Sequence, residues 1–358
     1  MDRKNFTLAA GVVALALAGL LALTPVCAAQ ANVQLTGAGS TFVYPIMTHW
    51  VSDFQQKHPN VRINYQSIGS GGGIQQLKQG LVDFGASDVA LSDEQLKQMP
   101  TPIVQIPESA GPVCITYNLP NLSKPMRLSG PALAGIFLGS IKTWSDPAIA
   151  KTNPGVSLPN QPIAVAHRSD GSGTTGIFTT YLSAINPEWK SKVGQGISVR
   201  WPVGLGGKGS EGVTGIVKQM PGSIGYVELN YAQENHLPVA EMQNQAGKFV
   251  APSSASASAA IEAFRSQLAT DVRTPIVNPP ASAPNAYPIS GLTFLLVPKN
   301  GNDFAKRQAT QQFIAYVVTA GQSIADRLRY AALPASITKI DQKLLAQLQA
   351  NGQALALK

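Results

Sequence analysis

Cysteine is nearly missing from this sequence: there are two in 358 residues, Cys27 and Cys114. Cys27 falls in an expected N-terminal leader, so Cys114 stands alone in the apolar run Val113-Cys114-Ile115, which excludes an internal disulfide and predicts a buried strand thiol. Histidine is scarce as well. His49, His58, His167 and His236 are scattered without the spacing a metal needs, so no metal centre and no cofactor are expected, and only His167, beside Arg168, lies near a candidate site. No serine occupies the G-x-S-x-G turn of a hydrolase nucleophile: Ser70 has Ile68 two residues before it, Ser172 has Asp170, and Ser87 has Val89 two residues after. Gly206-Gly207-Lys208-Gly209-Ser210 begins like a nucleotide loop but places Gly209 where Ser or Thr must follow the lysine. Charged residues are only 13% of the chain, with no run of like charge and no aromatic-basic stripe, which makes nucleic acid a poor partner. Beyond residue 23 there is no long apolar run, so no membrane span is expected.

What is present starts with an export signal over residues 1–29. Asp2, Arg3 and Lys4 give a short charged start, residues 8–23 are apolar, and small residues follow. Cys27-Ala28-Ala29 suits signal peptidase, with Ala29-Gln30-Ala31 as a neighbouring option; Thr24-Pro25-Val26 is a poor run-up to a lipid-modified Cys27. Losing Arg3, Lys4 and Asp2 takes the formal charge from +8 to +7, a mild attraction for small anions. The mature chain of about 330 residues exceeds one ordinary core, which favours two domains.

The mature chain then repeats one device. Val33-Gln34-Leu35 reads as a strand running into Gly37-Ala38-Gly39-Ser40-Thr41-Phe42, and a helix follows with Met47, Trp50, Val51 and Phe54 on one apolar stripe. Val61-Arg62-Ile63-Asn64-Tyr65 alternates as a strand and enters Gly69-Ser70-Gly71-Gly72-Gly73, again before a helix, here with Ile74, Leu77 and Leu81 on one face. A brief strand at Val82-Asp83-Phe84 gives way to a polar loop at Ser87-Asp88. Residues 103–119 are strand-rich; 131–138 and 146–151 read as short helices; 161–166 is a strand feeding a third turn, Arg168-Ser169-Asp170-Gly171-Ser172-Gly173-Thr174. A helix at 212–219 and a strand at 224–227 follow, and the Ser/Ala-biased 251–260 reads as either a loop or a helix start. A buried strand at 292–297 and two closing helices complete the reading. Strand-turn-helix units indicate an α/β fold of mainly parallel sheets flanked by helices, with ligands at the carboxyl ends of strands. Two lobes are expected, 30–115 with 286–358 and 116–285, with the ligand in the cleft between them.

Each glycine-serine turn sets unpaired N–H groups and the positive end of a helix dipole where an oxyanion fits. Arg168 adds a bidentate fork, and Ser172 and Thr174 add neutral donors. The plainer reading of the third turn is an ordinary helix start capped by Asp170. Asp88 is the odd member, because a carboxylate repels an anion unless the anion carries a proton. Phosphate does so near neutral pH and sulfate does not, so Asp88 selects between them; its alternative is a cap for the helix beginning near Ser92.

The stretches Thr36-Gly37-Ala38-Gly39-Ser40-Thr41-Phe42, Gly69-Ser70-Gly71-Gly72, Asp83-Phe84-Gly85-Ala86-Ser87-Asp88, Arg168-Ser169-Asp170-Gly171-Ser172-Gly173-Thr174, Trp201-Pro202-Val203-Gly204-Leu205-Gly206-Gly207-Lys208-Gly209 and Gly225-Tyr226-Val227-Glu228 resemble, in order, the phosphate-binding protein of the high-affinity bacterial phosphate ABC transporter. The resemblance implies a two-lobed periplasmic binding protein, not an enzyme. It would be a monomer that closes on inorganic phosphate and delivers it to permease subunits in the inner membrane. It also implies the ligand set Thr41, Phe42 through its N–H, Ser70, Asp88, Arg168, Ser172, Gly173 through its N–H, and Thr174, with Asp170 orienting Arg168. Ser40 and Ser169 stand where alanine is expected, His167 stands beside the arginine, and 251–260 matches least. The competing expectations are a receptor for another tetrahedral oxyanion, such as arsenate, and a secreted phosphatase on the same scaffold.

Overall fold

In the computed structural model, which describes residues 32–120 and 122–356, each early strand hands over to a helix across a glycine turn. β1 (Val33–Gly39) leads to α1 (Tyr44–Lys57), β2 (Val61–Ser67) to α2 (Ser70–Lys78), and β3 (Phe84–Ser87) to the short α3 (Asp93–Lys97). The leader assigned to 1–29 lies outside the described residues. α1 buries Met47, Trp50 and Phe54, the stripe set by its apolar spacing. Trp50 keeps its indole N–H satisfied on the Gly321 carbonyl at 2.8 Å, and burial of each such ring contributes about 1.5 to 3 kcal/mol. α2 is shorter than its apolar spacing predicts: Gln79 caps it, Gly80 turns left-handed at φ 69°, and Leu81 emerges 62% exposed.

β4 (Ile103–Tyr117) then runs for 15 residues, almost wholly buried. After it come β5 (Arg127–Leu128), α4 (Gly130–Leu138), α5 (Pro147–Ala150), β6 (Ala164–Arg168), α6 (Gly173–Ile185), α7 (Pro187–Lys192), β7 (Leu205–Gly207), α8 (Gly209–Gln219), β8 (Ser223–Glu228) and α9 (Leu229–Glu234). The remaining elements are β9 (Glu241–Gln243), β10 (Phe249–Val250), α10 (Ser254–Ala263), α11 (Arg265–Thr270), β11 (Ser290–Pro298), α12 (Phe304–Val318), two 3-10 turns at Ala320–Ile324 and Asp326–Leu328, α13 (Ala335–Leu345), and the small pair β12 (Gln349–Ala350) and β13 (Gln353–Ala354). The 251–260 stretch is thus a helix start, capped at Ser253 by a capping box with Ser256.

Eight strands make one sheet in the order β2-β1-β3-β11-β4-β8-β6-β7. The pairs β1/β2, β1/β3, β6/β8 and β6/β7 are parallel, while β11 and β4 bring antiparallel pairing to the middle. β4 pairs with β11 over Ile103 to Pro112 and with β8 over Val113 to Tyr117, so this one strand belongs to both parallel groups. α10 and α11 place Ala257, Ala260, Ile261 and Leu268 in the same apolar cluster as Leu77, Leu292 and Leu296, on the β3/β11 side. The carboxyl ends of β1, β2 and β3 and those of β6 and β7 carry the glycine turns toward one another.

Candidate functional site

β1 ends at Gly39, where a Cβ would sit 2.1 Å from the Ala86 carbonyl oxygen, so only glycine lets the turn lie this close to β3. The next residue, Ser40, accepts the N–H of Phe42 at 3.0 Å and donates its hydroxyl to Asp88 Oδ1. Thr41 bonds Ser210 through their hydroxyls at 2.8 Å and accepts the Ser210 N–H at 3.3 Å. Ser70 opens α2, and its oxygen accepts two N–H groups, from Asp88 at 3.3 Å and from Gly173 at 3.1 Å. The turns also meet backbone to backbone, where the Gly71 N–H donates to the Gly171 carbonyl at 2.8 Å.

From the other group, Arg168 ends β6 and is 3% exposed. It forks onto Asp170, Nε to Oδ1 at 2.8 Å and Nη2 to Oδ2 at 2.5 Å, and Asp170 Oδ1 also accepts the Gly209 N–H at 3.0 Å. Burial pushes the Asp170 carboxyl up, but Arg168 and the Gly209 N–H outweigh it and hold the group below the usual carboxylate range. The helix cap is therefore Ser172, which accepts the Thr175 N–H at 3.1 Å, and not Asp170. Thr174 reaches across and donates to Asp88 Oδ2 at 3.3 Å. An aromatic stack stiffens this side: Phe178 lies 4.4 Å from Tyr226, whose hydroxyl receives the Arg168 N–H at 3.1 Å and meets Thr175 Oγ1 at 2.7 Å.

Asp88 sits at the centre, 3% exposed, between the starts of α2 and α6. Burial pushes its carboxyl up to about 6 against the pull of the Ser40 hydroxyl, the Arg168 charge and Thr174. It is not the cap of α3, because Ser92 fills that place in a capping box with Gln95. The arrangement is a buried carboxylate ringed by hydroxyls, backbone N–H groups at helix starts and one guanidinium, which suits a small anion that can also donate a hydrogen bond.

All eight residues singled out in the sequence lie in this cluster. Ser40, Ser210, the Gly209 N–H and Tyr231, whose hydroxyl donates to the Thr41 carbonyl at 2.8 Å, belong to it as well. The signal for two of them is the Gly206-to-Ser210 loop, which fails as a nucleotide loop and lies in a stretch that carries the resemblance, though none of its residues belongs to the implied ligand set; it is the start of α8. His167 stacks on Trp201 at 4.8 Å, with Nδ1 at 3.0 Å from the Arg168 carbonyl.

A family model described as a PBP superfamily domain matches residues 27–320. A phosphate-binding protein PstS of Xylella fastidiosa is 45% identical over 318 residues, covering 88% of this chain and 86% of that one. The chain belongs to the PstS family of phosphate-binding proteins. A further PstS, from Haemophilus influenzae, is 44% identical over 311 residues, 86% of this chain and 91% of its own. Among solved structures, a high affinity periplasmic phosphate-binding protein (PfluDING) bound with phosphate superposes with a TM-score of 0.69 at 23% identity, covering 87% of this chain and 93% of that one. A phosphate-binding protein from Stenotrophomonas maltophilia gives 0.66 at 19% identity, covering 87% and 93%. At these identities the structures establish the two-lobed α/β fold of this PstS-family chain. Among the described residues no helix is long and apolar enough to cross a membrane.

Proposed function

We propose that this chain is a periplasmic receptor that captures inorganic phosphate between two lobes, one built on β1, β2, β3 and β11 and joined by α10 and α11, the other on β6, β7 and β8, and presents it to the permease of an ABC transporter. The observation that carries the reading is Asp88, a buried carboxylate held by Ser40 on its own side and by Thr174 from the other. Its ionised form accepts a hydrogen bond from a protonated phosphate and meets only lone pairs on sulfate. The phosphate ligands are Thr41, the Phe42 N–H, Ser70, Asp88, Arg168, Ser172, the Gly173 N–H and Thr174. The hydroxyl oxygens of Ser40 and Ser70 accept from the same Phe42 and Gly173 N–H groups that a phosphate oxygen would engage. Asp170 tempers the Arg168 charge, so dipoles and hydroxyls carry much of the binding. With roughly 1.5 to 3 kcal/mol for each charge-assisted bond, such a set offsets dehydration and reaches about −8 kcal/mol or better.

A receptor fits better than a hydrolase. The Ser172 oxygen caps α6, and His167 is occupied by Trp201 and the Arg168 carbonyl. The test is calorimetric titration of phosphate-stripped protein with phosphate and sulfate in parallel. Phosphate is expected to bind at least about 100-fold more tightly, which corresponds to about 2.8 kcal/mol, and Asp88→Asn to narrow that ratio. Comparable affinity for both anions in the unsubstituted protein would overturn the role given to Asp88.

A further inference from the structure

The ligand set makes no use of Glu108, a buried acid on β4. Its neighbours Pro107 and Ser109 pair with Phe294 and Thr293 of β11, and the register shifts between those two partners, so Glu108 is the extra residue of a β-bulge. A bulge turns one side chain out of the strand's alternation, often beside a functional site. Glu108 is 0% exposed, and among the described residues neither carboxyl oxygen has a hydrogen-bond partner. Its carbonyl is held by Gln322 Nε2 at 2.9 Å, which anchors the bulge from the 3-10 turn. A buried carboxylate without partners is strongly disfavoured, so the group persists as the neutral acid. Burial first, and the charge of Asp88 second, hold it well above the usual range; the nearby Thr293 hydroxyl pulls the other way but donates to the Ser109 carbonyl at 3.3 Å rather than to the acid.

The groups whose charges meet at Glu108 are few. Asp88, following β3, and Tyr65 on β2, pushed up by burial, then by Glu108 and Asp88, are the two whose charges act on it directly, and Tyr330, whose neighbour Ala331 accepts the Ser109 hydroxyl, is a third buried group on this side, itself pushed up by burial first. The Tyr65 hydroxyl donates to the Ser40 carbonyl at 2.8 Å, and the Ser40 hydroxyl donates to Asp88; Ser87, beside Asp88, and Pro107, beside Glu108, both pair with Phe294 of β11, which sets Glu108 one strand beyond this corner of the site. β11 and the turn Ala320–Ile324 bring no titratable side chain, and neither does the turn from Ser40 to Phe42.

We propose that Glu108 is a proton-holding positioning residue of the phosphate site: kept neutral behind the bulge, it leaves Asp88 as the single charged acceptor facing the ligand, and its deprotonation weakens phosphate binding. This rests on the phosphate reading above. A bound anion makes Glu108 harder to ionise, so by linkage binding takes up a proton once the free protein has begun to lose it. Affinity then falls by up to about tenfold per pH unit in that range. Phosphate's own second proton leaves near neutral pH and affects every variant alike.

The experiment is calorimetric titration with inorganic phosphate at about pH 6.5 and about pH 9, in buffers of different ionisation enthalpy, on the wild-type chain, Glu108→Gln and Glu108→Asp. Glu108→Gln is expected to match wild type within about twofold at the lower pH and to bind about 5- to 10-fold more tightly at the higher, without the extra proton uptake. Glu108→Asp, which keeps an ionisable group, is expected to restore the alkaline loss. Parallel pH profiles for wild type and Glu108→Gln would overturn the inference while leaving the receptor reading intact, whereas no phosphate binding by wild type at either pH would overturn the reading itself. Should Glu108→Gln fail to fold, proton counting on wild type decides: no net uptake at the higher pH, beyond that of the ligand, sinks the proposal.

Discussion

Asp88 shows how one residue sets function against stability. Its folded carboxyl titrates near 6, above the ordinary carboxylate value, because burial outweighs the Ser40, Arg168 and Thr174 contacts. Between about pH 4 and about pH 6 the folded chain therefore holds more protons than the unfolded one, and this group's contribution to stability falls as pH rises through that window. At about 1.36 kcal/mol per unit the full effect is at most about 3 kcal/mol. Asp88→Asn is accordingly expected to stabilise phosphate-stripped protein by up to about 3 kcal/mol at neutral pH and by almost nothing near pH 4, while losing selectivity against sulfate. Urea midpoints across pH check this; destabilisation at neutral pH would mean that Arg168 favours the ionised form more than burial opposes it. The choice between helix cap and anion site for Asp88 and Asp170 was open in the sequence because either role suits an aspartate before a helix. Ser92 and Ser172 took the caps, leaving both carboxylates for the site.

At the scale of elements, the same residue type has opposite roles in two helices. A Cβ on Gly173 at the start of α6 would lie 2.5 Å from Ser70 Oγ and 2.6 Å from the Asp88 N. Gly173→Ala must push α6 away from α2, and a phosphate affinity loss of about 100-fold or more is expected, read by the same titration, since about 2.8 kcal/mol of closely set donors is displaced. Gly215, inside α8, has nothing within 4 Å of a built Cβ. There Gly215→Ala is expected to raise stability by about 0.5 to 1 kcal/mol in thermal melts with binding unchanged. Element existence was largely legible beforehand: α4, α8, β8 and β11 fall on the stretches read from periodicity and glycine placement. Boundaries were less so. α8 begins at Gly209, three residues before the expected start, because the Gly206-to-Ser210 loop is itself the helix entry.

Across the whole molecule, the lobes are tied by β4 and by hydrogen bonds between residues far apart in sequence, such as Thr41 with Ser210 and Tyr231 with the Thr41 carbonyl. A ligand that engages both sides stabilises only the folded, closed chain. Phosphate at 100 times its dissociation constant is expected to add about 2.7 kcal/mol, a rise of several degrees in Tm, with sulfate at the same concentration giving none. Differential scanning fluorimetry reads this directly, and an equal shift by sulfate would point to general anion stabilisation.

By itself the sequence determined the alternation of strand, glycine-serine turn and helix and the turns' suitability for an anion, because steric rules, periodicity and dipoles act over a few residues; the eight ligand candidates came from the resemblance those turns carry. Only the tertiary structure decided which groups meet. Thr174 reaches Asp88 from 86 residues away and Ser210 reaches Thr41 from 169, distances at which local pattern carries no information. The place of Glu108 was decided in the same way. It follows from a register shift between β4 and β11, and a register is a property of two paired strands rather than of either alone.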